Sequence, residues 1–233
     1  MSGIMSSTVN LPSLVIGASG GIGAAFCAAL ARQQGADQVI GLSRHSDPAI
    51  DLTDEASIAA AAASVAGRGP FGLIVVATGA LNIAGRGPEK RLGEIDAAVM
   101  AQSFAINTIG PALIAKHFFP LLPRDMPCAF AALSARVGSI GDNALGGWYS
   151  YRAAKAGLNQ ILRTAAVELA RTRPLASVVA LHPGTVRTLL SRNFTKPDQG
   201  FSPDEAVARM LATLADVAPG FCYVDYDGKP VPY

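Results

Sequence analysis

The sequence predicts an α/β domain in which one parallel sheet carries helices on both faces. Two observations predict it. Six short apolar runs recur along the chain, at Leu14-Val15-Ile16 and at residues 38–42, 73–77, 129–133, 177–181 and 221–224. Longer amphipathic or alanine-rich segments lie between them, at about 21–34, 54–66, 93–120, 148–172 and 203–216. The runs are almost continuously apolar, as strands covered on both faces require. Regular alternation of the two kinds of segment is the pattern of βαβ units wound on both sides of a sheet.

Composition agrees with this class and excludes others. Half of the 233 residues are hydrophobic and 15% are charged, so the chain can fill a sizeable core and is not of the disordered type. Residues 13–233 read as a single domain behind a flexible leader, 1–12, which has neither a basic side chain nor an apolar run. A net charge of +2 without a basic block argues against a nucleic-acid partner. Cys27, Cys128 and Cys222 are odd in number and far apart, and His45, His117 and His182 are equally scattered. Neither a disulfide framework nor a metal site is expected, and a reducing, cytoplasmic location fits. The uncharged stretch 97–115 contains Gln102, Ser103, Asn107 and Thr108. That polarity suits a buried helix rather than a lipid-facing span, so no membrane association is expected.

The first run leads into Gly17-Ala18-Ser19-Gly20-Gly21-Ile22-Gly23, and a helix follows at once. Glycines there let the backbone turn tightly and let a pyrophosphate approach the N–H groups of the first helical turn. The Gly17-x-x-x-Gly21-x-Gly23 spacing is longer than GxGxxG, and the Lys-Ser or Lys-Thr of a P-loop is missing. The second run ends in Gly41-Leu42-Ser43-Arg44 with no carboxylate before Asp47. An acidic residue would hold the ribose hydroxyls of NAD, whereas Arg44 and Ser43 suit a 2′-phosphate, so NADP(H) is favoured over NAD(H). Asp51 follows Ile50, where a short further strand is expected to end, and is a candidate to accept from the adenine amino group.

Tyr151 and Lys155 stand at i and i+4 in a helical segment and share one face, roughly 6 Å apart at Cβ. A free phenol has a pKa near 10, and a neighbouring ammonium favours its phenolate, so the pair suits proton transfer. Tyr149, six residues before Lys155, falls on another face. Pro111, four residues after Asn107, has no N–H, which frees the Asn107 carbonyl to hold a water.

Taken in order, the glycine turn, Asn107, Ser134, Tyr151-x-x-x-Lys155 and His182-Pro183-Gly184-Thr185-Val186-Arg187-Thr188 resemble the short-chain dehydrogenase/reductase superfamily over Ser13 to Tyr233. Gly138-Ser139-Ile140, Gly146-Gly147, Tyr149-Ser150-Tyr151-Arg152 and Tyr226-Asp227-Gly228 look like its C-factor and sniffer-type carbonyl reductase branch. The resemblance implies a Rossmann-type, doubly wound, seven-stranded parallel sheet and hydride transfer between NAD(P) and a small carbonyl or alcohol substrate. It implies that Tyr151 is the general acid-base, that Lys155 lowers its pKa and binds the nicotinamide ribose, and that Asn107 holds a relay water. Cofactor contacts are implied for Gly17, Ser19, Gly21, Ile22, Gly23, Gly79, Pro183, Gly184, Val186 and Thr188. A homodimer or homotetramer, joined through the helices near 93–120 and 148–172, is also implied.

The chain departs from that family in three places. Ser-Ser-x-x-Gly is replaced by Ser134-Ala135-Arg136-Val137-Gly138, so Ala135 falls where a serine would polarise the substrate carbonyl. Ser134 is expected to fill the role, with Ser139 a further candidate. Asn-Asn-Ala-Gly is replaced by Val76-Ala77-Thr78-Gly79. Arg187, Arg192 and Lys196 leave open an anionic substrate or a solvated basic loop in a lid at about 189–203. Two functions follow: a reductase of a small ketone, aldehyde or quinone, and a dinucleotide-binding regulatory protein with little turnover.

Overall fold

A computed structural model describes residues 11–191 and 199–233. Most of the expected leader, and the part of the expected lid that holds Arg192 and Lys196, lie outside the described residues. Six strands form the sheet: β1 (Ser13–Ile16), β2 (Val39–Leu42), β3 (Leu73–Val76), β4 (Cys128–Leu133), β5 (Ala176–His182) and β6 (Gly220–Asp225). Every pairing is parallel, and the order is β2-β1-β3-β4-β5-β6.

Alternate residues of each strand face opposite sides of the sheet, and each side has its own core. Leu14, Ile16, Ile74, Val76, Phe130 and Val178 pack on one side with helices α2 (Glu55–Val65), α4 (Gly110–Phe118) and α5 (Tyr149–Leu169). Val15, Val75, Ala131, Val179 and Leu181 pack on the other with α1 (Gly21–Gln34) and α6 (Pro203–Asp216). Asp54 caps α2 by accepting from the Ala56 N–H, and Ser202 and Glu205 form a reciprocal capping box on α6. These are the start signals that the acidic and hydroxyl residues before each apolar segment encode.

The expected seventh strand, ending at Asp51, does not form. Only Ser43–Ala49 separate β2 from Ile50, and a parallel neighbour needs a crossover of about a dozen residues or more. The chain turns back instead: the Ser46 hydroxyl and the Ile50 N–H both donate to the Ser43 carbonyl, at 2.8 and 3.0 Å. Ile50 enters the core and β2 becomes an edge of the sheet.

The segment expected as one helix at 93–120 is two. Helix α3 (Ala97–Phe104) runs through a π-helical turn, Ala105–Ile109, into α4. The Gly110 N–H donates to the Ala105 carbonyl across this wider turn, next to Pro111, whose ring a tighter turn would crowd. The stretch Ala97–Leu121 is long and apolar enough, by length and composition alone, to cross a membrane. It is not wholly buried as expected: Ser103, Asn107 and Ile114 face the interior, whereas Ile109 is half exposed.

Candidate active site

The order of the sheet reverses between β1 and β3, and the loops at the carboxyl ends of these strands frame a crevice. Gly17 ends β1 with φ +93°, a left-handed conformation that L side chains avoid. The N–H groups of Gly17 and Ala18 both donate to the Leu42 carbonyl, at 2.8 and 3.0 Å, which ties this turn to β2. Helix α1 starts directly on it: a Cβ on Gly23 would lie 2.1 Å from the Gly17 carbonyl oxygen. Among the described residues no side chain caps α1, and its first turn carries no acidic residue, so its leading N–H groups suit an anion.

Gly17, Ser19, Ser43, Arg44, Asp51 and Gly79 line one cleft of about 400 Å³. The Arg44 guanidinium makes no hydrogen bond or ion pair with the described residues and lies close enough to Asp51 to stabilise its charge. The Asp51 carboxylate is turned onto the start of the next segment, where it accepts from the Thr53 N–H at 2.8 Å and the Thr53 hydroxyl at 2.7 Å. These bonds, more than Arg44, hold its pKa below the ordinary value. Thr78 was not anticipated. It lines the same cleft, and its buried Oγ1 has no hydrogen-bond partner among the described residues. Its identity is visible in the sequence, but its missing partner is a property of the fold.

A second cleft, about 300 Å³, adjoins the first turn of α1. Ile22, Ser134, Tyr151, Pro183, Gly184, Val186 and Thr188 line it, with Ala135, Trp148 and His182. A Cβ on Gly21 would come within 3.1 Å of Thr188 Cγ2, so the segment after β5 closes over the start of α1. His182 is a second unanticipated contributor: its Nδ1 is buried without a partner, and burial, aided by the Arg136 charge, pushes its pKa down to about 4.

Lys155 and Asn107 meet behind these clefts. A Cβ on Gly79 would lie 3.2 Å from Asn107 Oδ1 and 3.6 Å from Lys155 Nζ, so Gly79 separates both groups from the cofactor-sized cleft. The Asn107 amide grips Ala80, accepting from its N–H at 3.0 Å and donating to its carbonyl at 2.9 Å. Lys155 is buried, donates to the Leu133 carbonyl at 2.8 Å and stands 5.8 Å from the centre of the Tyr151 ring. Burial lowers its pKa to about 8 and raises that of Tyr151 above the ordinary phenol value. The Tyr151 pKa is thus shifted upward, by burial first and by the neighbouring Tyr223 second, opposite to the lowering expected from Lys155.

Ser134 reaches the cleft wall, but its hydroxyl donates to Asn159 Oδ1 at 2.6 Å. The Ser139 hydroxyl accepts from the Asp142 N–H at 3.0 Å and lies outside the cleft lining. Ala135 itself lines the cleft.

A nucleotide-sized cleft at the switch point of a parallel sheet, beside a Tyr-Lys pair whose lysine is buried, is the arrangement of a nucleotide-binding class of α/β protein. Residues 13–199 match the family model for short chain dehydrogenases. The chain belongs to the short-chain dehydrogenase/reductase family, near its C-factor and carbonyl reductase branch. It is 34% identical over 145 residues to C-signal of Myxococcus xanthus, spanning 61% of this chain and 83% of that one. A Burkholderia multivorans protein solved with bound NADP superposes with a TM-score of 0.82 at 30% identity, over 96% of this chain and 100% of that one. An NADPH-bound carbonyl reductase from chicken fatty liver superposes with a TM-score of 0.79 at 26% identity, over 95% and 98%.

Proposed function

We propose that the protein is an NADP(H)-dependent oxidoreductase that interconverts a small carbonyl compound and its alcohol. The observation that carries this reading is Tyr151 in the wall of a largely apolar cleft, with the Lys155 ammonium behind it and the nucleotide-sized cleft alongside. The residues present fit a dinucleotide. The uncapped start of α1 suits a pyrophosphate, Arg44 suits a 2′-phosphate, and the orphaned Thr78 hydroxyl lacks only a partner. Bound there, the cofactor supplies or accepts the hydride.

The chain's own groups manage the proton. Burial keeps the Tyr151 hydroxyl protonated, which is the form that donates to the oxygen of a carbonyl being reduced. Lys155, with a pKa near 8, remains charged at neutral pH and favours the phenolate left behind. The Asn107 carbonyl, facing Pro111 four residues on, can hold the water that returns a proton to Tyr151. Ile22, Leu81, Val137, Trp148 and Val186 exclude bulk water and select an apolar ketone, aldehyde or quinone. The cytoplasm as location rests on three separate free cysteines, and assembly as a homodimer or homotetramer rests on the family.

Ala135 favours a second reading, a dinucleotide-binding regulator with little turnover, because it removes one donor to the substrate carbonyl. NADPH consumption over a panel of carbonyl compounds separates the two. The parent turns over at least one of them, and Tyr151→Phe lowers kcat about a hundredfold or more. Undiminished turnover in the Phe variant would remove Tyr151 from its role.

A further inference from the structure

Glu89 is a buried carboxylate, 7% exposed, in the connection between β3 and α3, and it lines neither cleft. Its side chain reaches across 61 residues of sequence to the start of α5. There it accepts from the Ser150 N–H at 3.1 Å and from the Ser150 hydroxyl. Its main-chain carbonyl accepts from the Trp148 N–H.

Helix α5 needs this. Trp148 precedes it in a left-handed conformation, φ +55°, and gives no side-chain cap. The first N–H groups of a helix have no partners within it, and leaving one buried and unpaired is costly. A carboxylate at this end also complements the helix dipole. Ser150 is the immediate neighbour of Tyr151, and Lys155 follows one turn later. The loop that carries Glu89 is itself braced, since the Glu94 carboxylate accepts from the Lys90 N–H at 2.8 Å and Arg86 pairs with Asp96 at 3.0 Å. On the far side of the helix start, the Arg152 guanidinium donates to the Gly147 and Gly146 carbonyls at 2.9 and 3.1 Å.

We propose that Glu89 is a positioning residue that acts through the first turn of α5 to set where the Tyr151 hydroxyl sits in the cleft. The inference rests on Tyr151 being the proton donor. It separates two duties of the protein, because Glu89 governs turnover and not nucleotide affinity.

The test compares the parent, Glu89→Ala, Glu89→Gln and Tyr151→Phe for kcat, for KM and Kd of NADPH, and for emission of Trp148, the single tryptophan. Glu89→Ala is expected to lower kcat about thirtyfold while the NADPH constants stay within about twofold, since a displacement near 1 Å at a reacting group costs that order. Glu89→Gln keeps an acceptor for the Ser150 N–H and recovers most of the loss. Trp148 emission shifts in the Ala variant and returns toward the parent in Gln, a reading independent of turnover. Parental kcat in Glu89→Ala beside an inactive Tyr151→Phe overturns the positioning role alone, whereas an active Tyr151→Phe overturns the proton donor itself. A loss of NADPH affinity in step with kcat, or unchanged Trp148 emission, also overturns the positioning role. Should Glu89→Ala fail to fold, Ser150→Ala decides. It removes the hydroxyl arm and spares the N–H arm, and a kcat equal to the parent's at unchanged NADPH affinity sinks the proposal.

Discussion

In the proposed reading, Ala135 puts a methyl group at the point where a serine hydroxyl would polarise a carbonyl. Neither neighbouring serine substitutes freely, because the Ser134 hydroxyl donates to Asn159 and Ser139 lies outside the cleft lining. Ala135→Ser is therefore expected to raise kcat about tenfold or more on any ketone the parent accepts, since one such donor is commonly worth that much. Steady-state kinetics decide the matter, and an unchanged kcat would mean that another group already supplies the donor. Arg44 makes the complementary case for the cofactor. Arg44→Glu should shift the NADPH-to-NADH ratio of kcat/KM by about 10- to 100-fold toward NADH, the size of a lost charge-assisted pair. Much of this was legible in residue types, since Gly17, Arg44, Tyr151 and Lys155 announce their chemistry by identity and spacing. Thr78 and His182 did not, because what marks them is an unpaired buried atom. Glu89 did not either, for a carboxylate in a charged loop carries no signal until its partner 61 residues away is brought to it.

The turn between β1 and α1 behaves as one rigid unit. Gly23→Ala puts a Cβ into the Gly17 carbonyl, so backbone must move. The expected cost is about 1–3 kcal/mol of stability, read from a urea or thermal midpoint, together with loss of NADPH binding. Two helices matched expectation closely: α1 spans Gly21–Gln34 behind the glycine turn, and α6 spans Pro203–Asp216 behind its capping box. Misreadings arose where chain geometry outweighed composition. The stretch after Arg44 falls where a further strand is expected, yet it is too short to reach a parallel register. Residues 93–120 look like one helix, yet the chain takes a wider turn beside Pro111, and Asn107 on that turn bonds to Ala80.

Across the whole molecule, burial of cationic groups sets a pH dependence with a definite sign. His182 titrates near 4 in the folded state against about 6.5 unfolded, so the unfolded chain binds the additional proton between those values. Stability rises with pH through that window, and falls by about 3 kcal/mol at most from this group as pH drops from 7 to 4. His182→Gln should lose correspondingly less between those pH values, measured by urea unfolding at each. An equal loss in both proteins would assign the acid sensitivity to carboxylates such as Asp51 and Asp96, whose pKa values are held down by their hydrogen bonds.

The missing seventh strand has a consequence for the solution in which the protein works. With β2 at the edge of the sheet, only a short surface connection walls the Arg44 end of the first cleft, and Arg44 itself is exposed. A charge in that setting is shielded by mobile ions, whose screening distance shrinks from about 10 Å at 0.1 M salt to about 3 Å at 1 M. Ionic strength should therefore act on one end of the cofactor and not the other, weakening NADPH affinity several-fold over that range while leaving affinity for NADH almost untouched.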